Sequence, residues 1–235
     1  MADDTLFDSK AETYDNWYMT PLGAYEDEIE RSLMFRHIGD VRGKTVLDVG
    51  CGTGLYSIRL AEAGADVTAA DISAKMLEIA RTKSQDRDQY IWYDQADMTE
   101  LPYADQTFDM VVSVNALEFV ANPLEALTEL ARVLRRGGKI VVGVLNGDSP
   151  YADACREQAL QKESVYRSAH FMSSSDLRLL FHRTGLFGAL SMESCVYVVP
   201  TEESVQDRTA VRNEFLGRLF RPLTGAFLVG AARKR

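Results

Sequence analysis

Short apolar runs alternate with helically spaced apolar residues through the middle of this 235-residue chain. The run at 46–49 precedes a stretch in which Leu55, Ile58 and Ala61 fall on one helical face. The alternation continues to about residue 146 and predicts strands that are each followed by a helix. This order is typical of an α/β fold, a mostly parallel sheet with helices on both faces.

Capping residues and chain breakers indicate where the elements begin and end. The expected strands are 46–49, 66–70, 90–93, 108–115, 139–144, 192–199 and 225–232. The expected helices are one from Thr20-Pro21 to Gly39, one opened by Ser73, one from Asn122 to Arg136, one from Ser173 to Gly185 and one over 201–223. No repeat or linker divides the chain, so a single domain is expected. It comprises an N-terminal lid and helix (1–40), a cofactor-binding core (44–146) and substrate-side elements with the closing strands (147–235).

The segment that follows the first strand carries three glycines at alternate positions within 50–54, with Asp48 just ahead of them. Glycine tolerates a positive φ and lets a ligand lie close to the backbone, as nucleotide-like ligands do beyond a strand end. The segment lacks the dinucleotide pattern G-x-G-x-x-G, because Leu55 and Ser57 stand where the third glycine belongs, and no Lys follows as in a phosphate-binding loop. An acid here disfavours a pyrophosphate and suits a ligand with an ammonium group.

The D-x-G-x-G-x-G pattern at 48–54 resembles the first motif of class I S-adenosylmethionine-dependent methyltransferases. Asp71 follows the second strand about twenty residues after the glycines, where an acid can accept the hydroxyls of a ribose. The segment 108–116 matches the pattern FDxVxxxxA, and 127–142 matches LxxxxRVLRxGGxxVV. The resemblance covers about residues 8–200 and is nearest to the ubiquinone/menaquinone-biosynthesis-like, small-molecule subgroup.

The resemblance implies a Rossmann-like three-layer sandwich with a mostly parallel seven-stranded sheet and an antiparallel last strand. It also implies S-adenosylmethionine as the cofactor, with S-adenosylhomocysteine as the product. Asp97 would offer its carboxylate to the adenine amino group, and Tyr14 would lie near the methionine moiety. The implied cofactor-binding residues are Tyr14, Tyr18, Asp48, Gly50, Cys51, Gly52, Gly54, Asp71, Ile72, Met76, Asp97, Met98 and Asn115.

Two residues are candidates for handling the acceptor. Glu118 directly follows the fourth strand, where similar quinone-biosynthesis enzymes often carry His, and its carboxylate could take a proton or pair with a cationic substrate. The alternative for Glu118 is a solvated surface acid. His170 precedes a helix start and could face the pocket or lie on the surface.

The formal net charge of −9 and the absence of a basic stripe disfavour a nucleic-acid partner. The three cysteines show no metal or disulfide spacing, so neither a metal nor a disulfide framework is expected. The sequence has no signal peptide and no apolar stretch long enough to span a membrane, so a cytoplasmic monomer or homodimer is expected.

These observations together predict methyl transfer to an N, O, S or C atom of a small molecule. Two alternatives remain: a nicotinamide-dependent oxidoreductase, which the missing third glycine and Asp48 disfavour, and a non-catalytic S-adenosylmethionine-binding adaptor. The polar, aromatic-spotted segment 1–20 is expected to be a mobile lid that becomes ordered over the cofactor.

Overall fold

The computed structural model describes residues 7–160, 164–198, 200–206 and 209–235. The strands are β1 Thr45–Val49, β2 Asp66–Asp71, β3 Trp92–Gln95, β4 Phe108–Val114, β5 Leu134–Leu145, β6 Ser191–Cys195 and β7 Phe227–Arg233. The α-helices are α1 Ala11–Tyr14, α2 Pro21–Ile38, α3 Leu55–Glu62, α4 Ala74–Gln85, α5 Pro123–Val133, α6 Pro150–Gln158, α7 Ser174–Thr184, α8 Glu202–Gln206 and α9 Thr209–Phe220. None of the helices described is long and apolar enough to cross a membrane.

Seven strands of the described chain form one sheet in the order β3-β2-β1-β4-β5-β7-β6. The five strands β1 to β5 pair in parallel, whereas β7 lies between β5 and β6 and runs antiparallel to both. The expected α/β fold with an antiparallel last strand is therefore confirmed. Because β1, β2 and β4 are parallel neighbours, their carboxyl ends meet at one edge of the sheet.

The hydrophobic core lies on both faces of this sheet, since successive strand residues point to opposite sides. Val46 belongs to the cluster that includes Leu33 and Met34 of α2. Leu47 belongs to the opposite cluster, which includes Leu127 of α5 and Leu177 of α7. The buried face of α2 therefore fixes this helix on the sheet, with its N-terminal half beside the carboxyl edge of the strands.

Local capping confirms several helix boundaries. The side chain of Thr20 accepts a hydrogen bond from the backbone N–H of Gly23, and Gly39 ends α2 with a φ of 75°. Ser173 and Asp176 form a capping box at the start of α7, and Gly185 ends that helix in the left-handed conformation. These signals need only neighbouring residues, which is why the sequence predicts them well.

Other predicted boundaries are wrong. The helix expected to reach Arg136 ends at Val133, and β5 begins at once because Leu134 is extended and pairs with Phe108 of β4. Strand β3 begins at Trp92 instead of residue 90, where it pairs with β2. A sheet partner decided these boundaries, and no partner is visible in a local pattern.

The C-terminal part also differs from expectation. Strand β6 ends at Cys195 and not at residue 199, because Val196 has a φ of 61°, which interrupts an extended chain. In place of one helix over 201–223, the described residues contain α8 and α9; residues 199, 207 and 208 lie outside the described part.

Candidate active site at the carboxyl edge of the sheet

The turn after β1 is shaped by glycines with positive φ: Gly50 at 67°, Gly52 at 53° and Gly54 at 78°. The backbone N–H groups of Gly50 and Cys51 both donate to the carbonyl of Ala70 in β2, which ties the turn to the neighbouring strand. A Cβ on Gly50 would lie 2.3 Å from the Cβ of Ala116. Gly50 therefore meets both a conformational and a steric requirement.

Asp71 at the end of β2 fixes the same turn. Its Oδ2 accepts the N–H of Gly52 at 2.8 Å, and its Oδ1 accepts the N–H of Ser73 at 2.9 Å. Each carboxylate oxygen has a second lone pair, so both can still accept a hydrogen bond from a ligand. Burial raises the pKa of Asp71 above its ordinary value, an effect that these backbone donors oppose.

Asp48, one residue before the end of β1, is 1% exposed. Its Oδ2 accepts a hydrogen bond from the hydroxyl of Ser57 in α3. Burial raises the pKa of Asp48 to about 7. A cationic group brought close to this carboxylate would favour its ionised form, which is the role the sequence suggested.

A cavity of about 350 Å³ opens over these strand ends. It is lined by every residue of the expected cofactor set except Gly54, namely Tyr14, Tyr18, Asp48, Gly50, Cys51, Gly52, Asp71, Ile72, Met76, Asp97, Met98 and Asn115. Gly54 instead precedes α3, and a Cβ at this position would come within 2.9 Å of the side chain of Ala80 in α4. Its function is to let α3 pack close to α4.

The third and fourth strands bring further polar atoms to this cavity. Oδ1 of Asp97 accepts two hydrogen bonds from Thr99, from its N–H at 2.9 Å and its hydroxyl at 2.7 Å. Asn115 has a φ of 49°, and its buried Oδ1 has no partner. An unpaired buried acceptor is costly, so a ligand donor at this position would relieve it.

The N-terminal segment lies across the same edge. Asp15 accepts hydrogen bonds from the hydroxyl of Thr53 and from Nζ of Lys83, both at 2.7 Å. Asp8 accepts a hydrogen bond from the hydroxyl of Ser73. These contacts, which sequence reasoning missed, attach the segment carrying Tyr14 to the turn before α3 and to α4.

Known proteins are similar to this chain in fold and in sequence. A solved S-adenosylmethionine-dependent methyltransferase from Thermotoga maritima superposes with a TM-score of 0.72 over 98% of both chains, at 22% identity. The Methyltransferase domain family matches residues 47–142. A demethylmenaquinone methyltransferase from Clavibacter sepedonicus is 39% identical over 139 residues, which make up 58% of this chain and 55% of the relative. An O-methyltransferase from Aspergillus nomiae is 30% identical over 165 residues, which make up 67% of this chain and 72% of the relative.

The chain belongs to the class I S-adenosylmethionine-dependent methyltransferases. These matches favour methyl transfer over the oxidoreductase and adaptor alternatives. The chain spans about half the length of the demethylmenaquinone methyltransferases that it matches.

Glu118 of this methyltransferase is completely buried, so the alternative of a solvated surface acid is wrong. Its Oε1 accepts the N–H of Leu145 at the end of β5 at 3.1 Å, and its Oε2 has no partner. Burial raises the pKa of Glu118 to about 7. Its side chain is not among those that line the cavity described above.

His170 lines the first cavity but is exposed. Its backbone N–H donates to the carbonyl of Glu118 at 2.6 Å, so the segment before α7 is held against the end of β4. The imidazole therefore lies at the cavity mouth.

A second cavity of the methyltransferase, of about 480 Å³, adjoins the first. The two share a wall that includes Tyr14, Tyr18, Asn115, Phe119 and Glu30. Helix α2 contributes two further acids to this cavity, Glu26 and Asp27, and sequence reasoning missed all three acids. The available signal was the i, i+4 spacing of Glu26 and Glu30 beside the apolar stripe of α2, which places both on one helix face.

Proposed function

We propose that this methyltransferase binds S-adenosylmethionine in the first cavity and transfers its methyl group to a small molecule held in the second. The observation that supports this most strongly is the wall shared by the two cavities. A group that crosses between Tyr14, Tyr18 and Asn115 passes directly from one to the other.

In this proposal each strand-end residue binds a different part of the cofactor. Asp71 accepts the ribose hydroxyls with its remaining lone pairs, and Asp97 accepts the adenine amino group. Asp48 favours the cationic methionine end, and Tyr14 and Tyr18 lie over it. The unpaired Oδ1 of Asn115 fits a cofactor that supplies a hydrogen-bond donor.

The cofactor supplies an already activated methyl group, so the protein chiefly provides position and a dry environment. Holding the two reactants in line can lower the barrier by about 7–11 kcal/mol in favourable cases. The aromatic side chains of Tyr14, Tyr18 and Phe119, which line both cavities, support this role. We propose that the reaction requires no metal and that the protein does not act on nucleic acid.

Direct binding and turnover test the proposal. Calorimetry should detect binding of S-adenosylhomocysteine but not of NAD, and S-adenosylmethionine should be consumed with a small-molecule acceptor present. Failure to bind S-adenosylhomocysteine would contradict the cofactor assignment. Binding without methylation of any acceptor in a broad panel would contradict the catalytic part.

The N-terminal segment is expected to be more protected when the first cavity is filled. Asp15 already joins it to Thr53 and Lys83, and ligand contacts to Tyr14 and Tyr18 would add to this. Hydrogen exchange from Tyr14 to Tyr18 should slow by roughly tenfold or more at S-adenosylhomocysteine concentrations about 100 times Kd. Equal exchange rates with and without ligand would identify a fixed part of the fold and not a lid.

Glu118 remains our proposal for a group that influences the acceptor. Changing Glu118→Gln keeps an oxygen that can accept the N–H of Leu145 and removes only the charge. Glu118 lines neither cavity, so we propose that it acts on the acceptor through its charge, which raises the pKa of Glu30. Turnover of the variant should then fall by about tenfold while S-adenosylhomocysteine affinity stays the same. Turnover close to that of the parent would instead assign Glu118 to the packing of β5.

A further inference from the structure

The second cavity is acidic. Its described lining includes Glu26, Asp27 and Glu30 of α2, and no lysine or arginine. Glu26 is only 8% exposed, yet it lines this cavity. A buried negative charge without a cation nearby is costly, so the function of these acids needs an explanation.

One of the three acids is already neutralised. Asp27 forms an ion pair with Arg59 of α3, with 2.8 Å between Nη1 of Arg59 and Oδ1 of Asp27. Within the described chain, the side-chain carboxylates of Glu26 and Glu30 form neither a hydrogen bond nor an ion pair. These two carboxylates are therefore free to pair with something that enters the cavity.

Aromatic rings surround the same space. Tyr14 and Tyr18 stand at the wall shared with the first cavity, with ring centroids 6.2 Å apart. The other aromatic lining residues are Phe7, Trp17, Phe119, Tyr151 and Tyr166. Ring faces attract cations, most strongly where water is excluded. The carboxylates and the aromatic rings thus both favour a cationic ligand.

We infer that the acceptor is an amine that enters the second cavity as an ammonium ion and pairs with Glu26 and Glu30 among these aromatic rings. This inference rests on the proposed function and specifies its acceptor. A phenolate or thiolate would be repelled by the two carboxylates, and a neutral quinol would leave both without a counter-charge.

The groups in the two cavities account for every proton and electron pair in the methyl transfer. The bound ammonium gives one proton to the carboxylate of Glu30, which lines both cavities. The freed lone pair on nitrogen forms the new N–C bond as the S–C bond of the donor breaks, and that electron pair stays on sulfur. The products are an N-methylated ammonium, protonated Glu30 and a neutral thioether.

The acid–base properties of the two residues agree with this assignment. Burial raises the pKa of Glu26 to about 7. Burial raises the pKa of Glu30 well above its ordinary value, and the negative charges of Glu26, Asp27 and Glu118 raise it further. A carboxylate with a raised pKa accepts a proton more readily than an exposed one.

Paired ligands test the inference on the full-length protein saturated with S-adenosylhomocysteine. The probes are a panel of primary alkyl- and arylalkylamines, each compared with the alcohol of the same length. We expect the preferred amine to bind at least about tenfold more tightly than its alcohol. We expect Glu30→Gln and Glu26→Gln each to remove about tenfold of amine affinity, with no effect on alcohol binding.

Glu28→Gln is the matched control, because Glu28 is an exposed acid of the same helix that pairs with Arg31. It should leave amine and S-adenosylhomocysteine affinities unchanged. Above pH 7, where the carboxyl of Glu26 is ionised, Glu26→Gln should also raise the melting temperature of the ligand-free protein, because the amide removes a buried, unpaired charge. Folding and binding of this variant are thereby measured separately.

The outcomes distinguish the inference from the function on which it rests. No binding of S-adenosylhomocysteine by the parent protein would overturn the proposed function. Normal S-adenosylhomocysteine binding without preference for any amine over its alcohol, or with amine affinity unchanged in both glutamine variants, would overturn the amine assignment alone. Methylation of a naphthoquinol with no methylation of any amine would also overturn it.

Discussion

Replacing Gly50 with Ala is expected to destabilise the protein by about 2–5 kcal/mol and to weaken S-adenosylhomocysteine binding by about 100-fold or more. The φ of 67° costs a residue with a Cβ roughly 1–2 kcal/mol. The new methyl group would also lie 2.3 Å from the side chain of Ala116, and overpacking of this kind costs about 1–3 kcal/mol. Relief of the clash must move the turn that borders the first cavity.

Gly39→Ala separates the two contributions. Gly39 has a similar φ of 75°, but nothing lies within 4 Å of the position that its Cβ would occupy, and it ends α2 away from the cavity. This variant should show only the conformational cost and bind S-adenosylhomocysteine normally. Chemical denaturation and calorimetry measure both effects. Equal losses in the two variants would contradict the contact with Ala116 as the cause.

Replacing Asp71 with Ala is expected to weaken S-adenosylhomocysteine binding by roughly 1.5–3 kcal/mol, about tenfold to 100-fold. The change removes the partner of the ribose hydroxyls in our proposal. It also leaves the N–H groups of Gly52 and Ser73 without their acceptor, so the turn after β1 keeps only its backbone hydrogen bonds to Ala70 of β2. Calorimetry of the purified variant measures the loss.

Two further variants serve as controls for the Asp71→Ala measurement. Asp71→Asn retains one acceptor oxygen and should lose less affinity than Asp71→Ala. Asp66→Ala changes an exposed acid at the opposite end of the same strand and should bind like the parent. Unchanged binding in Asp71→Ala would contradict the assignment of Asp71 to the ribose.

Much of the first cavity was predictable because its residues depend on local chemistry and on one property of parallel sheets. The glycines at 50–54 need positive φ, and the acids Asp48 and Asp71 stand where strands end. Parallel strands bring their carboxyl ends to one edge, so strand ends far apart in sequence become neighbours in space. A correct strand assignment therefore predicted that these strand-end residues lie together, whereas Tyr14 and Tyr18 were implied only by the family resemblance.

The second cavity was not predictable in the same way. Glu26 and Glu30 lie in α2, a helix that the apolar pattern predicts. The pattern does not show which residues pack against the polar side of this helix. They face a cavity only because α2 packs on the sheet through Leu33 and Met34 while α6 brings Tyr151 to the opposite side. From the sequence alone, an acid on a helix is normally predicted to be solvent-exposed.

The sequence by itself determined the α/β order, the capped helix ends, the glycine turn and the placement of Asp71 and Asn115 at strand ends, because each follows from local conformation or strand direction. Only the tertiary structure decided that β5 begins at Leu134, that Glu118 is buried against Leu145 and that Glu26 and Glu30 lie in an aromatic cavity. Leu134 pairs with Phe108, and Glu118 bonds to Leu145, which is 27 residues away in the sequence. Burial and pairing arise from such long-range contacts, and a local pattern carries no information about them.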